Sequence, residues 1–294
     1  MSVLQQELPL RKSETTDYSG KSETTDYSGT KEHAIEDLKY DNKSATIKDI
    51  FGRNSCADVK YHDDPIVRDL EIMTGATNYR DWILNNVSSH IGDRILEIGS
   101  GIGNYTSKLS EYGSVMALDI YKPCIGYLSD KFRDNKRILP VNIDITSKEA
   151  LAVKEYRPNT AVCINVLEHI KDDMQALKNT RSVLTEDGKL ILLVPAYKVL
   201  FGSIDRLVGH HRRYGKKELK LKLHAAGFKV RELFYMNSIA VPFWYINNRI
   251  IKLKEESLSQ VLLYDKNVVP LLSKVERFIK PPFGLSVVAV AYRN

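Results

Sequence analysis

Short apolar segments alternate with amphipathic stretches over most of the chain after residue 93. The seven apolar segments, each of strand length, are Arg94–Ile98, Ser114–Leu118, Ile138–Val141, Thr160–Ile164, Leu190–Val194, Val230–Tyr235 and Leu285–Ala291. Strands that alternate with helices are typical of a mainly parallel sheet covered by helices. The pattern therefore predicts an α/β fold built on a doubly wound sheet of seven strands.

Three predicted helical segments lie outside this alternation. Residues 238–282 join the last two predicted strands and contain many apolar residues. A connection of this length needs secondary structure of its own, so we predict a helical insertion over the sheet edge or the mouth of a ligand site. Nearer the N-terminus, residues 31–64 predict a helical cap or lid, and Asn78–Val87 predicts a helix.

The N-terminal residues contain a tandem repeat. The segment KSETTDYSG at residues 12–20 recurs unchanged at residues 21–29. Such a short polar unit cannot bury enough apolar surface to fold, so residues 1–30 are predicted to be a disordered duplicated tail. Residues 65–294 are predicted to form one domain, and the region before them is a candidate contact for a homo-oligomer.

Composition limits the class of protein. The 294 residues include 43 Lys and Arg against 37 Asp and Glu, a net charge of +6, and 43% are hydrophobic. These values are those of ordinary globular proteins and exclude collagen, coiled-coil and wholly disordered chains. The three cysteines lie far apart without a Cys-x-x-Cys spacing, and neither a secretory signal nor a transmembrane segment is visible. We therefore predict a cytoplasmic protein.

A glycine-rich turn marks a candidate ligand site. The segment RILEIGSGIG is a predicted strand that runs into a turn with Gly99, Gly101 and Gly103. Glycine lets bare backbone approach a ligand at the carboxyl end of a parallel sheet. The next predicted strand ends at Asp119, and Asp144 follows the strand after that. A carboxylate at the first position can accept both hydroxyls of a ribose, and the later segment can reach an adenine amino group.

Seven motifs distributed over the chain extend this picture. They are ILEIGSGIGNYT (95–106), ALDI (117–120), NIDI (142–145), INVLEHIKDD (164–173), LTEDGKLILLVPA (184–196), LFGSIDRLVGHHRRYGKKEL (200–219) and PPFGLSVVAVAYRN (281–294). With them the chain resembles the class I S-adenosylmethionine-dependent methyltransferases from about Tyr79 onward. The resemblance implies a Rossmann-like sheet whose last strand is antiparallel, and S-adenosylmethionine as the cofactor, released as S-adenosylhomocysteine. The cofactor-binding residues that it implies are Tyr79, Glu97, Gly99, Ser100, Gly101, Gly103, Asp119, Ile120, Asp144 and Asn165.

The resemblance also implies roles for individual residues. Glu97 orders the glycine turn, and Asp119 holds the ribose. Ile120 and Asp144 contact the adenine, while Asn165 lines the methionine end of the cofactor. A cationic sulfonium held between peptide carbonyls and carboxylates needs no strong nucleophile on the enzyme.

Asn165 separates this chain from one branch of the resemblance. Some O-methyltransferases of quinone biosynthesis carry an acidic residue at this position and use it, with the Glu and His of the motif, to bind a divalent ion. Here Glu168 and His169 stand without that residue, so a hard cation would lack ligands and we predict no metal. Glu168 is a candidate catalytic residue and His169 a candidate acceptor ligand, unless both simply begin the next helix.

The segment GHHRRY is the second candidate site. In the methyltransferases that this chain resembles, the loop after the fifth strand lies over the acceptor. His210 or His211 is a candidate general base, because imidazole titrates near neutral pH, and Tyr214 is a further catalytic candidate. Arg212 and Arg213 are predicted to bind a phosphate or diphosphate through bidentate hydrogen bonds, unless the segment is a solvated basic loop.

Aromatic side chains complete the predicted acceptor site. Tyr61 and Trp244 are candidates to wall an apolar pocket, which suits an amphiphile with an anionic head. The favoured function is therefore C-methylation of a prenyl diphosphate, with or without cyclisation. Alternatives are O- or N-methylation of a lipid-linked sugar, a quinone or another secondary metabolite, and cofactor binding without catalysis. A nucleic-acid substrate is disfavoured because an Asn/Asp-Pro-Pro-aromatic turn is absent after the fourth strand.

Overall fold

The computed structural model describes residues 64–252 and 258–294, and its centre is one seven-stranded sheet. The strands are Arg94–Ile98 (β1), Ser114–Asp119 (β2), Ile138–Asn142 (β3), Thr160–Ile164 (β4), Lys189–Pro195 (β5), Phe228–Met236 (β6) and Ser286–Arg293 (β7). Each of the seven predicted strands is present, with ends shifted by no more than two residues. The predicted tail at 1–30 and, apart from residue 64, the predicted cap at 31–64 lie outside the described residues.

The strand order in the sheet is β3-β2-β1-β4-β5-β7-β6. β7 runs antiparallel to both of its neighbours, whereas the other strand pairs of this sheet are parallel. The predicted doubly wound sheet with an antiparallel last strand is therefore confirmed. β2 and β3 were added on one side of β1, and β4 lies on the other side. The strand order therefore reverses between the parallel strands β1 and β4. Ligands of such sheets bind beside the carboxyl ends of the strands at this point.

The helices connect the strands and cover the sheet. The α-helices in the described ranges are Pro65–Ile72 (α1), Thr77–Val87 (α2), Thr106–Leu109 (α3), Lys122–Lys131 (α4), Asp173–Val183 (α5), Ser203–Leu207 (α6), Lys216–Ala225 (α7), Ala240–Tyr245 (α8), Leu258–Asn267 (α9) and Val269–Phe278 (α10). Short 3-10 helices occur at Met73–Gly75, Ser88–His90, Glu149–Tyr156, Leu167–His169 and Lys198–Leu200, and a π-helix, Ile246–Ile251, continues α8. The helix predicted at residues 78–87 is thus observed as α2.

The central strands are buried on both faces. β4 is buried at every position, and β1, β2 and β5 are buried at every position but the first. This burial explains why these strands are continuous apolar runs and do not alternate with polar residues. Trp82 and Ile83 of α2 pack in the same apolar core as Ile95 of β1 and Val162 of β4. The helix that precedes the sheet in the chain is therefore part of its core.

The connection between β6 and β7 is helical where the structure describes it, as the sequence predicts. Asp265 of α9 accepts hydrogen bonds from the backbone N–H groups of Asn78 at 3.2 Å and Tyr79 at 2.8 Å. Glu276 of α10 accepts a hydrogen bond from the backbone N–H of Asn237 at 2.9 Å. These buried carboxylates anchor the insertion to the start of α2 and the end of β6. Within the described ranges, none of the helices has the length and apolar composition required to cross a membrane.

Candidate functional site

The turn after β1 needs glycine for two different reasons. Gly99, Gly101 and Gly103 have φ angles of +73°, +52° and +83°, a region that side chains rarely adopt. A Cβ atom at Gly99 would lie 2.3 Å from Val166 Cγ2, and one at Gly103 would lie 2.6 Å from Leu128 Cδ2. A Cβ atom at Gly101 would meet nothing closer than 3.4 Å. The backbone at Gly101 is therefore the part of the turn that a ligand can approach.

Two buried carboxylates hold this turn. Glu97 of β1 accepts a hydrogen bond from Thr106 Oγ1 at 2.5 Å. Asp119, at the end of β2, accepts hydrogen bonds from the backbone N–H groups of Gly101 and Tyr121, each at 2.8 Å. Burial raises the pKa of Glu97 to about 8, and burial also raises the pKa of Asp119 against the opposing effect of its hydrogen bonds. A carboxylate has about four acceptor positions, so Asp119 can still accept a further hydrogen bond.

The remaining predicted cofactor residues lie along the same edge of the sheet. Ser100 is buried, and its hydroxyl has no hydrogen-bond partner among residues 64–252 and 258–294. Ile120 directly follows β2, Asn165 directly follows β4, and Asp144 lies just beyond β3 and is exposed. The Tyr79 hydroxyl lies 3.5 Å from the hydroxyl of Ser286, the first residue of β7. The structure therefore brings these side chains to the carboxyl ends of the parallel strands.

A second group of polar side chains follows β4, and we call Glu168, His169 and His210 the β4 cluster. Glu168 Oε1 lies 3.8 Å from His210 Nε2, and the rings of His169 and His210 pack edge to face with centroids 4.6 Å apart. One candidate ligand atom from each of the three residues lies within 4.8 Å of the other two, so the cluster could hold a metal ion. Two loops far apart in the chain meet here.

Several polar atoms of the β4 cluster are buried without partners. Neither oxygen of Glu168 and neither ring nitrogen of His169 has a hydrogen-bond partner in the part of the chain that the structure describes. Buried polar groups in proteins nearly always have one. Burial raises the pKa of Glu168 to about 8, and burial together with the nearby His210 lowers the pKa of His169 to about 3. Both side chains are therefore mostly uncharged at neutral pH, and their unsatisfied atoms suit a polar ligand.

Asp205 orients His210. Asp205 Oδ1 lies 2.8 Å from His210 Nδ1 and 2.7 Å from Arg213 Nε, while Oδ2 accepts a hydrogen bond from Asn248 Nδ2 at 2.8 Å. Burial acts to raise the pKa of Asp205, but the His210 hydrogen bond and the Arg213 charge outweigh it and lower the pKa to about 2. The ionised carboxylate favours a proton on Nδ1 and leaves the Nε2 lone pair of His210 facing Glu168. Burial lowers the pKa of His210, so its imidazole is neutral at neutral pH and able to accept a proton.

The two arginines of the GHHRRY segment are paired inside the protein. Arg213 is 2% exposed, forms the ion pair with Asp205, and places its guanidinium 4.6 Å from the ring centre of Trp244. Arg212 forms an ion pair with Asp173 at 2.9 Å. This geometry argues against the predicted binding of an anionic acceptor by Arg213, whose charge is matched by a buried carboxylate. Arg212 is only partly buried and shares Asp173 with Lys222, so the argument is weaker for Arg212.

The two neighbouring catalytic candidates also differ from their predicted roles. Tyr214 is fully buried, and its hydroxyl donates a hydrogen bond to Asp173 Oδ2 at 2.9 Å, which argues against a role in proton transfer. His211 is exposed, and its backbone N–H donates to the carbonyl of Glu168 at 2.8 Å. Of the two candidate bases, His210 is therefore the one whose imidazole lies in the β4 cluster.

Sequence reasoning missed two residues of this site and named one that lies outside the described residues. Asp205 and Asn248 were not among the predicted site residues, although both contact each other beside His210. The available signal was that Asp205 is an acid within a strongly basic segment. Trp244 is half-buried against Arg213, and Tyr61 lies outside the described residues.

The fold and the turn define a class of protein. A glycine turn after β1, a buried carboxylate at the end of β2 and an antiparallel last strand together characterise the class I S-adenosylmethionine-dependent methyltransferases. A family model described as a methyltransferase domain matches residues 72–233. The chain therefore belongs to the methyltransferase domain family, and its cofactor is S-adenosylmethionine.

Individual relatives agree with this assignment. The ubiquinone/menaquinone biosynthesis C-methyltransferase UbiE of Vibrio cholerae is 28% identical over 173 residues, which is 56% of this chain and 62% of that protein. The chain thus spans less than two thirds of the length of this curated relative. Two solved structures share the fold: a candidate methyltransferase of Bacillus halodurans (TM-score 0.50, 15% identity, 71% of this chain and 98% of that chain) and the candidate methyltransferase in a complex with the Trm112 activator of Haloferax volcanii (0.53, 13%, 79% and 98%).

Proposed function

We propose that the protein transfers the methyl group of S-adenosylmethionine to a small amphiphilic acceptor whose polar reacting group lies against the β4 cluster. The observation that carries the proposal is the set of buried, unpartnered polar atoms on Glu168 and His169, beside an imidazole oriented by Asp205. Leaving such atoms without partners costs free energy, and a polar acceptor would satisfy them. The acceptor thus supplies hydrogen bonds that the described part of the protein does not.

The glycine turn is the proposed cofactor site. Gly101 offers bare backbone, Ser100 has an unsatisfied hydroxyl, and Asp119 has lone pairs for the ribose hydroxyls. The exposed carboxylate of Asp144 suits the adenine amino group, and Asn165 begins the segment that leads from the cofactor to the β4 cluster. The other residues proposed for this site, which shape the turn or border the cofactor, are Tyr79, Glu97, Gly99, Gly103 and Ile120.

His210 is the proposed general base. Its Nε2 accepts the proton of an acceptor hydroxyl, and the electrons that this releases on the acceptor attack the methyl carbon. The bond from the methyl carbon to sulfur breaks as the new bond forms, and its electron pair stays on neutral S-adenosylhomocysteine. Asp205 stabilises the imidazolium that results, and alignment of the acceptor with the methyl group supplies most of the remaining rate acceleration.

A phenol or quinol with an apolar tail is the acceptor that these features favour. Deprotonation of a phenol makes the ring carbons beside its oxygen nucleophilic, so the same base starts either C- or O-methylation. In C-methylation the imidazolium of His210 returns its proton to the oxygen as the proton on the methylated ring carbon is lost to water, which restores the phenol. The Vibrio cholerae relative is named as a C-methyltransferase of ubiquinone/menaquinone biosynthesis, which supports carbon as the accepting atom. A prenyl diphosphate loses support because Arg212 and Arg213, expected to bind its phosphates, are paired with Asp173 and Asp205.

The proposal assigns acid–base chemistry, and no metal, to the β4 cluster. Two imidazoles and one carboxylate offer a hard cation a single carboxylate ligand. Asp205, which contacts His210, already accepts hydrogen bonds on both of its oxygens. A borderline ion such as Zn²⁺ is the competing occupant, because imidazole and carboxylate both suit it.

Mass spectrometry of the reaction products tests the proposed function. The protein is incubated with S-adenosylmethionine and, in parallel, with prenylated phenols and quinols, prenyl diphosphates and lipid-linked sugars. We expect a methylated phenol or quinol, and a kcat at least about 100-fold lower in His210→Ala, because general bases contribute effects of this size. His211→Ala is the matched control, because it removes a neighbouring imidazole that is exposed and should leave kcat nearly unchanged.

Two results would contradict the proposal at different points. Calorimetric binding of S-adenosylhomocysteine without a methylated product from any phenol or quinol would refute the proposed acceptor. An equal loss of kcat in His210→Ala and His211→Ala would refute the assignment of the base.

A further inference from the structure

The helical insertion between β6 and β7 carries most of the exposed apolar side chains. Seventeen large apolar side chains are exposed among the described residues, and twelve of them lie between residues 239 and 283. The most exposed are Phe278 (84%), Leu271 (68%), Ile279 (68%) and Ile250 (64%). Scattered apolar side chains are normal on a protein surface, but their concentration in one segment marks a contact with a partner or a membrane.

α10 has apolar residues on two opposite sides. Val269 and Leu272 are buried in the core that the helix shares with the sheet. Leu271, Val275 and Phe278 follow one another at helical spacing on the other side, and all three are exposed. The buried side accounts for the packing of the helix. The exposed side has no comparable use within the part of the chain that the structure describes.

Among the described residues of the insertion, every exposed charge is positive. Its basic residues in the described ranges, each of them exposed, are Arg249, Lys252, Lys266, Lys274, Arg277 and Lys280. Its two acids in those ranges, Asp265 and Glu276, are buried and accept hydrogen bonds from backbone N–H groups. Over the whole of residues 238–283 the sequence holds seven basic and four acidic residues. The insertion therefore presents an apolar and cationic surface.

α8 and the π-helix carry such side chains next to the candidate active site. The ring of Trp244 lies against Arg213, and Asn248 donates a hydrogen bond to Asp205. Phe243 and Ile250, one or two positions away from these residues in the chain, are exposed. A partner bound by Phe243 and Ile250 would therefore lie against α8 and the π-helix. Other residues of these two helices contact Arg213 and Asp205.

We propose that the exposed apolar and cationic side chains of the insertion dock on an anionic lipid membrane. At such a surface basic side chains meet phosphate head groups, and apolar side chains enter the boundary of the acyl chains. A second copy of the chain is a poorer partner, because a symmetric contact would bring the same exposed cations face to face. The docking goes beyond the proposed function and does not depend on it, although it would give an acceptor with an apolar tail a short path from the bilayer.

Vesicle sedimentation of the full chain tests the docking. We expect binding to vesicles of phosphatidylcholine mixed with phosphatidylglycerol, weaker binding at high salt, and little binding to phosphatidylcholine alone. The double variant Lys274→Glu/Arg277→Glu should weaken the binding at least about tenfold, since each basic residue near an anionic surface contributes severalfold. Phe278→Ser should also weaken it, through the loss of apolar insertion.

A charge-matched variant serves as the control. Lys217→Glu/Lys220→Glu reverses two exposed lysines on α7, outside the insertion, and should bind almost as the unaltered chain does. Absence of binding to the anionic vesicles, or an equal loss in the two charge variants, would overturn the docking. A dimer that Phe278→Ser abolishes, found by light scattering without vesicle binding, would overturn it in favour of a second copy.

Activity on a dispersed acceptor keeps this test apart from that of the proposed function. Methylation of a detergent-solubilised acceptor should be unchanged in Lys274→Glu/Arg277→Glu even where vesicle binding is lost. Parallel loss of both, with folding intact by circular dichroism, would contradict a surface that acts only in docking.

Discussion

The carboxyl edge of the sheet has two halves that are built in different ways. In the cofactor half, Glu97 bonds Thr106 only 9 residues away, and Asp119 bonds the turn that follows the neighbouring strand. In the acceptor half, the orienting carboxylate of Asp205 contacts His210 and Arg213 nearby in the chain, and it is also held by Asn248, 43 residues further along. The cofactor half satisfies both of its buried carboxylates and leaves one buried hydroxyl, that of Ser100, without a partner among the described residues. The β4 cluster leaves both oxygens of Glu168 and both ring nitrogens of His169 without one. The difference suggests a preformed cofactor site beside an acceptor site that its ligand completes.

The largest effect is expected in the acceptor half, on removal of Asp205. Asp205→Ala leaves the guanidinium of Arg213 and the imidazole of His210 buried without their carboxylate. Breaking a buried ion pair in this way costs about 3–5 kcal/mol of the free energy of unfolding, measured by urea unfolding. Asp130→Ala removes an exposed ion pair and should cost less than about 1 kcal/mol. Losses of similar size would show that Asp205 is not the anchor of this half.

The cofactor half should be most sensitive at its tightest turn. In Gly99→Ala the new Cβ would lie 2.3 Å from Val166 Cγ2 on a backbone with φ of +73°. Clash and strain together should lower the free energy of unfolding by about 1–3 kcal/mol and weaken the binding of S-adenosylhomocysteine. Thermal unfolding and calorimetric titration measure the two effects.

Gly215→Ala is the control for this substitution. A Cβ atom at Gly215 would meet no atom within 4 Å, so both stability and binding should change little. If Gly99→Ala bound S-adenosylhomocysteine as tightly as the unaltered chain does, the glycine turn would not be part of the cofactor site.

A smaller effect should appear in the pH dependence of stability. Burial raises the pKa of Glu168 in the folded protein to about 8, above its ordinary value of 4.5. The folded state therefore holds this proton more tightly, and the resulting stability is present in full below pH 4.5 and is lost as the pH rises through 8. In Glu168→Gln the free energy of unfolding should therefore fall less as the pH rises. Urea unfolding at a series of pH values measures this difference.

The exposed Glu186 provides the comparison. Glu186→Gln should leave the decline with pH as it is in the unaltered chain. If the two variants show the same pH dependence, burial does not distinguish Glu168 from a surface carboxylate.

The smallest effect is expected from chelation. Treatment with a chelator should leave kcat unchanged, because the proposal gives the β4 cluster a base and no metal. A loss of activity that Zn²⁺ or Mn²⁺ restores, together with weaker metal binding in His169→Ala, would reassign the cluster as a metal site. The acceptor half would then be completed by an ion as well as by its substrate.

The cofactor half could be predicted because its information is local. Buried strands are continuous apolar runs, and the glycine turn directly follows the first of them. The helix that follows the turn is short and spans only Thr106–Leu109. Thr106 Oγ1 donates a hydrogen bond to Glu97, which holds the first residue of this helix against β1. The turn therefore extends as far as residue 105.

The acceptor half could be predicted only in part because it depends on contacts between distant loops. The sequence shows Arg212 and Arg213 beside two histidines, a pattern that favours anion binding. Asp173 of α5, the partner of Arg212, is far away in the chain, and Asp205 of α6, the partner of Arg213, is nearby but lies across a turn. No periodicity of the sequence predicts that either carboxylate lies within 3 Å of its arginine. A sequence shows which residues are charged, but it does not show which of them form ion pairs in the folded protein.

The position of β7 has a consequence for the synthesis of the chain. β7 lies between β5 and β6, although it follows both of them in sequence. Until residues 286–293 have left the ribosome, β5 therefore has an open edge on the side that β7 later fills. Open strand edges are where unwanted pairing between chains begins, and partly made α/β domains are prone to it. Both strand pairs of β7 therefore form after β5 and β6 have been made, and until then the edge of β5 is open to pairing with other chains.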